Sequence, residues 1–178
     1  MSTIPATTPG LQPIGPRPVP VSRIGVLDRL AALEAMLKAF LERWSIPALR
    51  VALGVVFVAF GVLKFFPGVS PLESLVEATW GVLTFGLVGG QLALVLTAII
   101  ETVAGLALIS GVFARFGLVM LAIAFVGILS PLAFFPGELF TASGPTLLGQ
   151  YVLKNVVLIA AALVVASKAL RGPVRSAR

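Results

Sequence analysis

Four long apolar segments, separated by short turns bearing glycine and proline, organise this chain; they cover about residues 48–66, 91–110, 114–133 and 147–167. About 20 residues at a rise of 1.5 Å cross a hydrocarbon core of roughly 30 Å. Each segment therefore predicts a transmembrane helix, and together they predict an all-α integral membrane protein, a four-helix bundle over residues 47–169. A fifth segment, residues 23–45, has a different pattern. Leu30, Leu33, Leu37, Phe40 and Trp44 line one helical face, while Asp28, Arg29, Glu34, Lys38, Glu42 and Arg43 occupy the other. That alternation predicts an N-terminal amphipathic helix lying in the membrane interface, with docking to a partner subunit as the alternative use. Ser45-Ile46-Pro47 is expected to break it before the first span. Residues 1–22 carry six prolines among Thr, Gly and Ser, which predicts a disordered cytoplasmic tail; docking of its proline-rich run in an aromatic groove is the less favoured reading.

Within the first span, Arg50, Gly54, Phe57, Gly61 and Lys64 fall on one stripe at about 100° per residue. Both charges and both glycines of the span are on that stripe, so it should face protein rather than lipid. Ser70-Pro71-Leu72-Glu73 has the form of a capping box, predicting a short helix to about Phe85, with Trp80 suited to the membrane–water interface and Gly89-Gly90 at its end. Gly111 predicts a tight turn, Ser130-Pro131 a kink or helix end, and residues 134–146 a loop. Phe65-Phe66-Pro67-Gly68 recurs as Phe134-Phe135-Pro136-Gly137, and Gly90-Gln91 as Gly149-Gln150, the pattern expected of two parallel hairpin repeats.

Composition agrees with the pattern. Of 178 residues, 58% are hydrophobic and only 11% charged, against roughly 25% charged in soluble domains. Cysteine and histidine are both absent, which excludes disulfides, thiolate and imidazole metal sites and histidine acid–base catalysis. No metal-ligand cluster, phosphate loop or nucleophile–base pair can be written. The sequence pI of about 10.9 does not imply nucleic acid, because the basic residues flank apolar spans. Arg17, Arg23, Arg29, Lys38, Arg43 and Arg50 precede or open the first span, Arg115 lies in the second turn, and Lys168, Arg171, Arg175 and Arg178 follow the fourth. With four spans all of these fall on one side, so the positive-inside rule predicts both termini in the cytoplasm, the C-terminal tail being residues 170–178.

The sharpest chemical signal is Glu101, a carboxylate near the middle of the second span. Its burial costs a few kcal/mol unless it is paired, protonated or hydrated. Thr97, Glu101 and Gly105 share a face, which lets a neighbouring helix approach. Lys154 is about seven residues in from the same end of the bundle and Lys64 two or three, so depth favours Lys154 as the partner and Lys64 second. Arg50 approaches from the opposite end. In the fourth span Gln150, Tyr151 and Asn155 accompany Lys154. Two readings stay open: a buried ion pair that only fixes helix register, or a polar pocket in which Glu101 and Lys154 bind the carbonyl or hydroxyl of a quinone-like ligand. In the second, Phe65, Phe134, Phe135 and Tyr151 would stack on its ring.

These residues resemble the DoxX superfamily of small four-helix membrane proteins. Its first helix reads R-x-x-x-G-x-x-F-x-x-x-G-x-x-K-F, matched by Arg50, Gly54, Phe57, Gly61, Lys64 and Phe65. Glu101, Gly105 and Gly111 match its second helix. Gly149-Gln150-Tyr151-Val152-Leu153-Lys154-Asn155 is similar to the opening of the last helix in its YkgB-like (DUF417) branch. The resemblance covers about residues 47–169 and implies a bacterial inner-membrane protein linked to membrane redox chemistry or oxidative stress. Some relatives resemble the membrane subunit of thiosulfate:quinone oxidoreductase. With no Cys, His, flavin or haem motif, this chain holds no intrinsic cofactor, and electron transfer would need a bound quinone or a partner redox subunit. The expected function is thus a redox-associated or oxidative-stress-linked membrane subunit with an intramembrane polar pocket for a quinone or similar amphiphile, working with a partner redox subunit or as a homo-oligomer. A non-catalytic structural or assembly partner whose buried charges only fix helix packing is second and a small-solute transporter third.

Overall fold

In a computed structural model of the chain, residues 24–170 are described; the two tails, with Arg17, Arg23, Arg171, Arg175 and Arg178, lie outside them. Seven helices and one short hairpin make up these residues: α1 (Ile24–Leu63), α2 (Glu73–Leu83), α3 (Gly90–Ser110), α4 (Ala114–Leu129), α5 (Pro131–Phe134), α6 (Pro136–Leu139), β1 (Phe140–Thr141), β2 (Gly144–Pro145) and α7 (Leu147–Leu170). Four stretches are long and apolar enough to span a membrane: 25–63, 90–110, 114–134 and 147–170. The chain divides into two compact units at Ala39/Phe40. The described part of the first is helical, and its side chains, Leu30, Leu33 and Leu37 among them, are exposed.

The second unit holds the bundle. The expected break at Ser45-Ile46-Pro47 does not occur, and the helix passes through Pro47. A proline inside a helix removes one N–H and costs about 3 kcal/mol, but it does not oblige the chain to leave the helical path. Good helix formers on both sides, Leu41-Glu42-Arg43 and Ala48-Leu49-Arg50, carry it across.

Glycine sets how closely α1 meets α3. A Cβ at Gly54 would lie 2.7 Å from the Gly105 carbonyl oxygen, and one at Gly105 would lie 2.5 Å from that of Gly54. Gly61 faces Thr102 and Glu101 in the same way, so the two helices run antiparallel, backbone against backbone. The turn to α4 is closed by Gly111 in the left-handed region at φ 75°. Gly117 of α4 packs on Ala104, Ala107 and Leu108, and the Arg115 Nε–H donates to the Ala169 carbonyl at 3.1 Å, bringing the start of α4 to the end of α7. The four spans therefore alternate in direction. Leu53, Phe57, Ala104, Leu108, Leu121 and Phe125 form the central core, where Phe57 and Phe125 meet edge to face at 5.6 Å. Outward-facing Val119, Val156, Val157 and Leu163 are exposed, as side chains facing hydrocarbon are.

The connections depart from expectation in three places. Ser70 does not cap α2, which starts only at Glu73 after a turn through Pro71; the Glu73 carboxylate instead accepts from the Gly68 N–H at 2.7 Å. Residues 134–146 hold α5's end, α6 and a hairpin pairing Phe140 with Pro145 rather than a plain loop. The two Phe-Phe-Pro-Gly segments are not conformational repeats: Gly68 has φ 75° in a turn, whereas Pro136-Gly137 opens α6.

Candidate functional site

A cavity of about 430 Å³, partly open to the outside of the bundle, lies between α1, α2, α3, α4 and α7, within the range of small-ligand pockets. Its walls are mostly apolar, including Val56, Phe57, Phe60, Ile100 and Leu158. Against them stand Lys64, Thr79, Trp80, Thr97, Glu101, Tyr151, Lys154 and Asn155.

Lys64 Nζ donates to Glu101 Oε2 at 2.5 Å, and the two residues are 4% and 3% exposed. This corrects the pairing expected from depth, which favoured Lys154. Helical Cα–Cβ bonds tilt toward the helix N-terminus. Lys64 follows the last residue of α1, so its stem points back into the bundle. α7 begins at that same end, so the Lys154 stem leans outward, away from Glu101. The Lys154 ammonium instead lies 4.1 Å from the ring centre of Tyr151 and 4.6 Å from that of Phe60, held by cation–π attraction.

The Lys64 ammonium has three N–H groups. One goes to Glu101, a second to the Phe60 carbonyl at 3.3 Å, and the third is left for the cavity. Glu101 Oε1 accepts no hydrogen bond among the described residues, so the pair offers both a donor and an acceptor beside apolar walls. The Trp80 indole N–H donates to Thr97 Oγ1 at 2.7 Å, while Thr97 donates to the Ala93 carbonyl at 2.9 Å. This bond ties α2 to α3 and turns the indole into a wall. Asn155 Nδ2 donates to the Tyr151 carbonyl at 2.8 Å, one turn back on α7.

Of the residues singled out from sequence, Lys64, Glu101, Tyr151, Lys154 and Asn155 meet in this cavity. Gln150 is exposed and does not line it. Arg50 lines a different cavity, fourteen residues and about 20 Å of helix from Lys64. The expected stacking residues Phe65, Phe134 and Phe135 lie outside the cavity, and Phe57 and Phe60 take their place. Phe60 is one turn before Lys64, a spacing that could have disclosed it. Thr79 and Trp80 were missed as site residues because α2 reads as a separate interfacial element. Among the described residues no group of acidic side chains could hold a metal ion.

Four helices long and apolar enough to cross a membrane, packed around a cavity with a buried carboxylate–ammonium pair, define a polytopic helical membrane protein. The profile of the DoxX family matches residues 45–135, from Ser45 in α1 to the end of α5, and the chain belongs to that family. The match includes Lys64 and Glu101 but not Lys154. No curated protein and no solved structure matches the chain.

Proposed function

We propose that the cavity binds an amphiphile with a quinone-like polar head, and that the protein serves as the ligand-holding membrane subunit of a redox-linked complex. The observation that carries this reading is the Lys64–Glu101 pair opening on an apolar cavity of about 430 Å³. The third N–H of Lys64 would donate to a ring carbonyl, Glu101 Oε1 would accept from a ring hydroxyl, and Phe60, Tyr151 and Trp80 would flank the ring. With no cysteine or histidine, the chain relies on the ligand and on a partner subunit for electrons. Location in a bacterial inner membrane with both termini cytoplasmic is part of the same proposal, supported by the gathering of Arg50, Arg115 and Lys168 at one end of the bundle. The segment Gly149–Asn155 supports a place near the YkgB-like branch.

The test is mass spectrometry of an organic extract of protein purified in mild detergent. Near-stoichiometric quinone in the wild type, lost in a Glu101→Gln variant shown by circular dichroism to be folded, is the expected result; an extract free of quinone and other ring amphiphiles overturns the proposal. A second reading is favoured by the closeness of the ion pair itself: the charges lock α1 to α3 and the protein is an assembly partner. On that reading the swap Lys64→Glu with Glu101→Lys restores folding and function together, whereas a ligand site would regain folding alone.

A further inference from the structure

We infer that the opposite end of the bundle is a binding site for a phosphate group, presented by the headgroup of an anionic phospholipid. A second cavity, of about 470 Å³, is lined there by Arg43, Arg50, Arg115 and Lys168, with Glu42 as the one acidic residue. Arg50, Arg115 and Lys168 come from positions far apart in the chain and are brought together by the alternation of the spans.

Their placement is built rather than incidental. The Arg50 guanidinium packs so closely on Gly111 that a Cβ there would collide with Nη1, and the left-handed φ of Gly111 independently favours glycine. Arg115 spends its Nε–H on the Ala169 carbonyl, which orients the guanidinium and leaves its terminal N–H groups unused. Glu42 is the one carboxylate on this lining and stands against four cations, so the cavity keeps an excess of positive charge. Arg50 is half-buried, so its charge is partly desolvated. Guanidinium groups match phosphate oxygens in pairs. Ile46, Pro47, Val112 and Val165 line the same cavity, giving apolar surface beside the charge as a lipid headgroup requires and a freely soluble anion does not. Basic pockets between spans suit such headgroups.

The full chain is reconstituted in phosphatidylcholine vesicles doped with phosphatidylglycerol, then extracted in detergent, and the lipid that stays with it is measured by mass spectrometry. Phosphatidylglycerol should be retained well above its share of the vesicle. The exposed double variant Arg115→Gln/Lys168→Gln should reduce that enrichment about tenfold or more, on the scale of one charge-assisted hydrogen bond. Lys154→Met, which removes a cation at the other end, should keep it. Circular dichroism confirms that each variant folds, and Arg50→Gln provides an independent second loss. Absence of enrichment overturns the inference, as does enrichment that the double variant retains. A parallel arm titrates the detergent-solubilised protein with inorganic phosphate: binding there without lipid enrichment assigns the site to a soluble anion and overturns the lipid source.

Discussion

The two ends of this bundle handle charge in opposite ways. At one, Lys64 and Glu101 are almost wholly buried and face each other at 2.5 Å. At the other, four cations, Arg43, Arg50, Arg115 and Lys168, share a cavity whose one acidic residue is the exposed Glu42. Depth explains the contrast. A charge among packed helices must be matched within the protein, because neither lipid nor water solvates it there. A charge at the end of the spans can be left for headgroups and water. The internal pair is therefore part of the architecture of the bundle, whereas the basic end is expected to contribute less to folding.

The largest expected effect is the breaking of that pair. Lys64→Met strands a buried carboxylate, and losing one partner of such a pair costs about 3–5 kcal/mol. Thermal unfolding in detergent should show a drop of many degrees, with Glu101→Gln somewhat milder because a neutral amide remains. The double variant should be more stable than Lys64→Met alone. If Lys64→Met unfolds like the wild type, the pair is not what holds α1 on α3, and the contrast between the two ends disappears.

The middle of the bundle keeps the two ends apart, and it tolerates less volume than either. A side chain at Gly105 would meet the Gly54 carbonyl oxygen at 2.5 Å and Val58 Cγ2 at 2.7 Å. Gly105→Val should cost about 1–3 kcal/mol through overpacking, displacing α1 from α3 and weakening the Lys64–Glu101 contact one turn away. Gly127 has nothing within 4 Å of where a Cβ would sit. Gly127→Ala should be neutral or stabilising by up to about 1 kcal/mol from helix propensity. Unfolding curves for the two variants separate close packing from propensity; equal shifts would mean that the α1–α3 contact is looser than these distances describe.

The spans were legible because an apolar run of about 20 residues has one economical use in a membrane protein. The inner face of α1 was legible too: Arg50, Gly54, Phe57, Gly61 and Lys64 share a stripe, and from Gly54 to Lys64 every member is buried. Glu101 stood out because a carboxylate does not enter hydrocarbon without a reason. Its partner was misjudged because depth counted in residues ignores the lean of side chains toward helix N-termini. That lean carries Lys64 inward and Lys154 outward. The Phe140–Pro145 hairpin was invisible for another reason: strands of two residues carry no periodicity to read. The cavity wall from α2 was hidden because only tertiary contact shows that Trp80 reaches Thr97.

The smallest expected effect is the most discriminating. Lys168 and Lys64 are both lysines at an end of a span, yet Lys168 is exposed and Lys64 is 4% exposed. Lys168→Gln should change stability by no more than about 0.5 kcal/mol, as exposed substitutions do. Its position in the last turn of α7 adds a favourable interaction with the helix dipole of similar size. That interaction is screened by salt, so any small loss should vanish in unfolding measurements at high ionic strength. The penalty of Lys64→Met should persist there, because a buried pair is shielded from ions. A salt-independent loss in Lys168→Gln would mean that the basic end also holds the fold together, and that charge at the two ends is not divided between architecture and recognition.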